Sequence, residues 1–195
     1  MIPETGTYQT NAVVPDTELL ERARSGDQRA FHAIVQRYEP TVAATVKGML
    51  GSGPEAEDVG QETFIRFYRA LGTFREDSSL KTYLTRIAIN LSLNALKRRR
   101  RLRDRFVRRD EENFAEPSIS GDREIDRNEQ SRMIHRAIDR LDPKHRAVVV
   151  LRMLNGYSTK ETAELLEVPA GTVLSRLSRG MKRLEELLKP YAEQP

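Results

Sequence analysis

Apolar side chains recur at intervals of three and four along most of this chain, and nowhere do they alternate residue by residue. The pattern predicts helices and no strands. Leu19, Leu20 and Ala23 mark a first helix, with Asp16 as its candidate N-cap and an end near Ser25-Gly26. Asp27 is placed to cap a second, whose buried stripe is Phe31, Ile34, Val35 and Tyr38; Pro40 should kink or break it before Val42, Val46 and Met49 resume the pattern. Gly51 to Pro54 reads as a turn. A third helix, from about Glu55 to Gly72, puts Phe64, Phe67, Leu71 and Phe74 on one side. Asp58, Glu62 and Arg69 gather on the other, with Gln61 at its edge. After the polar loop Arg75 to Ser79, the stripe Leu80, Tyr83, Leu84, Ile87, Ala88, Leu91, Ala95 predicts a fourth helix, along which Arg86, Asn90 and Lys97 form a separate polar row.

The pattern fades from residue 102 to 128, where mixed charge, Pro117 and Gly121 interrupt a stretch with few apolar residues. It resumes with Ile134, Ala137, Ile138 and Leu141, then Asp142-Pro143 as the cap of a helix whose apolar side runs from Val148 to Met153. Ser158 and Glu161 have capping-box spacing and open a short helix, Thr159 to Glu167, with Ala163, Leu166 and Val168 expected to face inward. A tight VPAG turn leads into a longer helix with Val173, Leu177, Met181, Leu184 and Leu188 on one side. Thr172, Ser175, Ser178, Arg179 and Lys182 point the other way, with Arg176 on the flank. Two helices in this relation predict a helix-turn-helix able to present hydroxyls and arginines to base edges, although a purely structural helical hairpin would give the same pattern.

The expected fold is therefore all-α: two small helical domains joined by a flexible linker, the C-terminal one a helix-turn-helix. The boundaries are a disordered leader at 1–15, a first unit at 16–101, a linker at 102–128 and a second unit at 129–190.

Composition narrows what such a chain can do. Its 195 residues contain no cysteine, which excludes disulfides, thiol catalysis and cysteine-ligated zinc. Three histidines, His32, His135 and His145, are too scattered for a histidine-rich metal site, so no metal, cofactor or catalytic residue is expected. No apolar run approaches the roughly 20 residues that span a bilayer, which predicts a soluble protein of the cytoplasm. Net charge is only +4, yet it is unevenly spread: from Lys97 to Arg109 every charged residue except Asp104 is basic, whereas Asp110 to Glu129 is markedly acidic. A basic tract of that density suits a phosphate backbone; a solvated helix end whose arginines favour the negative C-terminal dipole is the alternative. The acidic face of the third helix likewise reads either as a docking surface or as an ordinary solvated face.

Taken jointly, DVGQETFIRFYRALGTF, FREDSSLKTYLTRIAIN and GYSTKETAELLEVPAGTVLSRLSRGMKRLEELL resemble the extracytoplasmic-function group of bacterial RNA polymerase sigma factors. The resemblance runs from about Asp16 to Leu188. It implies that the first unit binds core RNA polymerase and the minus-10 promoter element, and that the second reads the minus-35 element. Asp58, Gln61 and Glu62 match the family's polymerase-docking face. Asn90 matches a position that helps read an unstacked minus-10 base, with the loop from Phe74 to Ser79 forming the pocket. Phe74, Ser78, Ser79, Arg86, Asn90 and Lys97 are thus the implied minus-10 residues, and Thr172, Ser175, Arg176 and Arg179 the implied minus-35 residues. Leu174 departs from the pattern, standing where several members carry a basic residue. Members of the family are often held inactive by an anti-sigma factor; the Asp58 face is where such a partner would compete most easily.

Three functions compete on this reading. A dissociable sigma subunit would use both halves and perform no covalent chemistry. A free-standing helix-turn-helix regulator would use only the last sixty or so residues, and a nucleic-acid enzyme would need converging carboxylates, a metal site or an activated nucleophile, none of which the spacing provides.

Overall fold

The computed structural model describes residues 14–107 and 129–192. Most of the expected leader and linker lies outside them. Among the described residues the chain forms eight α-helices, a 3₁₀ turn and a π turn.

The first unit comprises α1 (Asp16–Arg24), α2 (Gln28–Leu50), α3 (Pro54–Ala70), a 3₁₀ turn at Leu71–Thr73, and α4 (Leu80–Val107). Asp27 caps α2 as its sequence position suggests, accepting from the N–H groups of Arg29 and Ala30 at 2.9 and 3.2 Å. The Arg22 guanidinium, bonded to the same carboxylate, holds its pKa below the usual range. Asp16 does not cap α1. Pro15 occupies that position without a side-chain bond, and the Asp16 carboxylate accepts instead from the Arg37 guanidinium and the Tyr38 hydroxyl, so it ties α1 to α2.

Pro40 does not interrupt α2, which runs unbroken from Gln28 to Leu50. Gln36, whose carbonyl loses its partner to the missing proline N–H, is exposed along with Pro40 itself, so water can serve the orphaned oxygen. Ile34 before the proline and Val42 and Val46 after it are fully buried in one core, and that shared burial outweighs a penalty of about 3 kcal/mol.

Phe67 is the hub of this unit, fully buried with its ring 6.0 Å from Phe31, 6.1 Å from Phe74 and 6.2 Å from Tyr83. Leu84 and Ile89 of α4 close the same core. Beyond it, α4 continues to Val107, six residues past the expected end of the unit, as a basic arm.

The second unit comprises α5 (Glu129–Asp139), α6 (Pro143–Val149), the π turn Val150–Leu154, α7 (Thr159–Leu166) and α8 (Ala170–Ala192). Asp142 caps α6 with Pro143 at its first position, and Ser158 and Glu161 form the complete capping box. The π turn widens the helix at its end, the N–H of Asn155 donating to the carbonyl of Val150. Val148 to Leu151 are consequently buried while Met153, expected inside, is half exposed.

Two further inward positions shift. In α7 the buried residues are Thr162 and Leu165, whereas Ala163, Leu166 and Val168 are only half-buried, because α7 packs on α4 as well as on α8. In α8 it is Gly180 that lies against α6: a Cβ there would sit 2.9 Å from a methyl of Val149. That close approach turns Met181 outward, 43% exposed.

The units do not stand apart. α2 packs against α5, α6 and the π turn, and α4 against α6 and α7. Hydrogen bonds cross the seam: Arg146 to the carbonyl of Met49, Asn155 to Thr45, and Tyr157 with Thr85.

Candidate partner and nucleic-acid interfaces

Burial of Val59, Thr63, Phe67 and Leu71 fixes the rotation of α3, so its opposite side must face solvent. Asp58 and Gln61 are exposed there, and Glu62 is half-exposed with its carboxylate 2.8 Å from the Arg66 guanidinium. The three expected docking residues thus share one accessible face. Beside it lies a feature that the sequence reading missed: Ile65 and Tyr68, 45% and 57% exposed, edge an open groove of about 560 Å³ with Phe31, Phe64 and Arg69. The signal was present, since two large apolar residues interrupt an otherwise polar face.

The loop after α3 is held from below. Arg24 donates from Nε to the carbonyl of Leu71 at 3.1 Å and from Nη2 to that of Phe74 at 2.5 Å, and pairs with Glu76 at 3.0 Å. Glu76 adopts a left-handed backbone, φ 59°. Phe74 itself is in the aromatic core, 4.7 Å from Tyr83 between ring centres, so it braces the loop and does not line its outer surface. Ser78 is half-buried, and Ser79 is exposed at the head of α4, its hydroxyl accepting from the N–H of Thr82 at 3.2 Å.

The polar row expected along α4 is divided. Asn90 and Lys97 face solvent, but Arg86 lies half-buried against α7, its Nη2 3.4 Å from the carbonyl of Glu164. Farther on, Arg98 and Arg99 both pair with Glu55, and Arg100 lies 3.9 Å from Asp104. Lys97, Arg101, Arg103 and Arg105 are exposed on the same arm, leaving its surface strongly positive.

On α8, Val173 is fully buried and Leu184 nearly so, which aims the other face outward. Ser175 and Arg179 are exposed; Thr172 and Arg176 are half-buried at its edge. Ser175 donates to the carbonyl of Thr172 at 3.0 Å, a bond within one turn that a base edge could replace. Leu174 stands on this surface, 55% exposed. Among the described residues no three His, Cys, Asp or Glu side chains gather as metal ligands, and no helix is long and apolar enough to cross a membrane.

Comparison with known proteins agrees with this two-part arrangement. Residues 34–102 match Sigma-70 region 2, and residues 131–184 match Sigma-70 region 4. The chain is 36% identical to the RNA polymerase sigma-H factor of Pseudomonas aeruginosa, over 90% of its own length and 94% of that protein's. It is 38% identical to the ECF RNA polymerase sigma-E factor of Escherichia coli K12, over 90% and 95%. Among solved structures, the sigma factor RpoE in complex with the anti-sigma factor NepR from Bartonella quintana superposes with TM-score 0.64 at 25% identity, covering 82% of this chain and 96% of that one. CnrH in complex with the cytosolic domain of CnrY gives TM-score 0.65 at 26% identity, covering 92% and 99%.

Proposed function

Because this chain belongs to the extracytoplasmic-function group of RNA polymerase sigma factors, we propose that the unit 16–101 holds core polymerase and the minus-10 strand while the unit 129–190 reads the minus-35 element. Asp58, Gln61 and Glu62 are the docking residues on core. Ser78, Ser79, Arg86, Asn90 and Lys97 face the minus-10 strand, with Phe74 bracing their loop from the core. Thr172, Ser175, Arg176 and Arg179 meet the minus-35 major groove, where exposed Leu174 can touch a thymine methyl. The basic arm of α4 neutralises phosphates. The protein performs no covalent chemistry itself and works in the cytoplasm, where the polymerase is.

One observation carries this reading. The acidic face of α3 and the hydroxyl-and-arginine face of α8 are both turned outward by cores packed on their opposite sides, in a chain that matches both sigma regions. A free-standing regulator would leave the region 2 match without a role. The solved relatives bound to NepR and CnrY support an anti-sigma partner for this chain too, and the groove beside Ile65 and Tyr68 offers it apolar surface next to the docking face. Run-off transcription with core polymerase on a promoter library tests the proposal: new start sites should depend on this protein, and identical transcripts with and without it would refute it.

A further inference from the structure

Arg24 closes α1, and its guanidinium reaches a loop 47 to 52 residues farther along the chain. Each of its three nitrogens serves a different acceptor there: Nε the carbonyl of Leu71, Nη2 that of Phe74, and Nη1 the carboxylate of Glu76. The loop has little else to fix its middle. Among the described residues no backbone hydrogen bond joins Arg75, Glu76, Asp77 or Ser78 to other backbone. The ring of Phe74 anchors the entry in the aromatic core, and the hydroxyl of Ser79 secures the exit by accepting from Thr82. Between these points Glu76 lies in the left-handed region, φ 59°, which a residue with a Cβ adopts only where its surroundings hold it. Arg24 is the group that holds it.

The support beneath this fork is rigid. Leu20 and Ala23 of α1 are buried, the carboxylate of Asp16 binds the start of the helix to Arg37 and Tyr38, and Arg22 pairs with Asp27 just past its end. A planar guanidinium on such a base fixes the relative positions of its three acceptors, whereas an ammonium or water molecules, free to reorient, do not. Arg75, Glu76 and Asp77 are exposed, so water can reach the loop when Arg24 is removed, and what is lost is shape more than stability. Shape is what reading a base requires. Recognition groups work only when a supporting layer of hydrogen bonds and packing holds them to about 0.5 Å.

We propose that Arg24 is a positioning residue for minus-10 recognition: without touching DNA, it sets the shape of the loop from Phe74 to Ser79 and with it the choice of unstacked base that the loop accepts. The inference rests on the assignment of that loop to the minus-10 element. It makes α1 a determinant of promoter choice through a side chain that lies behind the DNA-facing residues.

Transcription by core polymerase with the full chain, on templates randomised at both promoter elements, gives the yield with each base at each position. Arg24→Ala should lower the preference for the best-read minus-10 base over its nearest competitor by at least about three-fold, with the minus-35 preference still the parent's. A ratio of yields within one preparation does not depend on the fraction of chain folded, so lost stability alone cannot produce that result. A smaller fall at the minus-10 element, or an equal fall at both elements, overturns the proposal. Arg22→Ala removes the same charge from the same helix, but Arg22 pairs with Glu18 and Asp27 and not with the loop. It should keep the parental ratio; a fall matching that of Arg24→Ala overturns the proposal, since charge alone would then suffice. If Arg24→Ala yields no folded chain, Arg24→Lys is judged by the same mark, because an ammonium does not span all the acceptors of the fork. Asp77→Leu with Ser79→Leu, at two exposed positions of the loop, tests the assignment beneath the inference. Parental minus-10 preference in that pair removes the loop from the minus-10 site and the proposal with it. Altered preference in the pair beside a parental ratio in Arg24→Ala leaves the loop its role and overturns only that of Arg24.

Discussion

Arg146, on α6, donates from Nη1 to the main-chain oxygen of Met49 at the end of α2, 2.7 Å away and 97 residues earlier in sequence. The same guanidinium serves the carbonyls of Asp139 and Leu141 and lies 3.4 Å from the Asp139 carboxylate. Burial pushes the pKa of Arg146 down and that of Asp139 up, in each case against the pull of the opposite charge, so desolvation dominates for both. What fixes Arg146 in place is its set of carbonyl acceptors more than the ion pair. Arg146→Ala would strand these acceptors and should cost about 3 kcal/mol, with the two units unfolding at separate denaturant concentrations. Urea titration followed by circular dichroism, with a fluorescent reporter on each unit, reads both effects.

The two sides of α3 should respond in opposite ways. Phe67→Ala removes the hub of the aromatic core and should cost about 3–5 kcal/mol of stability. Asp58→Lys with Glu62→Lys should leave the thermal transition and helicity nearly unchanged and abolish retention on immobilised core polymerase. Retention equal to the parent's would place the docking face elsewhere.

Arg179 is exposed on the outward face of α8. If it makes a bidentate base contact, Arg179→Ala should weaken promoter binding by holoenzyme by about 1–3 kcal/mol and relax preference at a single position of the minus-35 element. A selection over randomised minus-35 sequences reads that position directly.

The capping box makes a pH prediction. Hydrogen bonds from Ser158 hold the Glu161 pKa below its ordinary value of 4.5 in the folded chain. In the acid range the unfolded chain therefore binds the proton more readily, so this stabilisation is complete above the ordinary value and is lost as pH falls through the lower, folded one. Glu161→Gln should flatten the acid limb of a stability-against-pH curve without moving its neutral plateau far. Denaturant midpoints measured between pH 3 and pH 7 test it.

Much of the fold could be read from spacing because each helix buries one stripe in its own unit. Phe67, Leu84 and Val173 announce themselves at intervals of three and four, and Asp27, Asp142 and Ser158 are local signals whose geometry needs only their neighbours. Asp16 and Pro40 misled because their outcome is tertiary: Arg37 and Tyr38 draw one carboxylate away from its helix, and burial on both sides carries α2 past its proline. The outward faces of α3 and α8 follow from the same stripes, so the accessibility of Asp58, Gln61, Ser175 and Arg179 was legible in advance. The seam between the units was not. Thr45, Thr85, Asn155 and Tyr157 read as unremarkable polar or aromatic residues, and only the meeting of two helices distant in sequence gives them partners.

At 28 residues, α4 is about 42 Å of continuous rod. Its root is packed through Leu84, Ala88 and Ile89, Arg98 and Arg99 tie it to Glu55, and Arg101, Arg103 and Arg105 beyond them are exposed. Such a member behaves as a lever: a tilt of about 10° at Ile89 carries the tip at Val107, about 27 Å farther along the helix, through about 5 Å, more than the rise of one base pair. Small repacking at the base is thereby magnified into a change of aim of the basic tip.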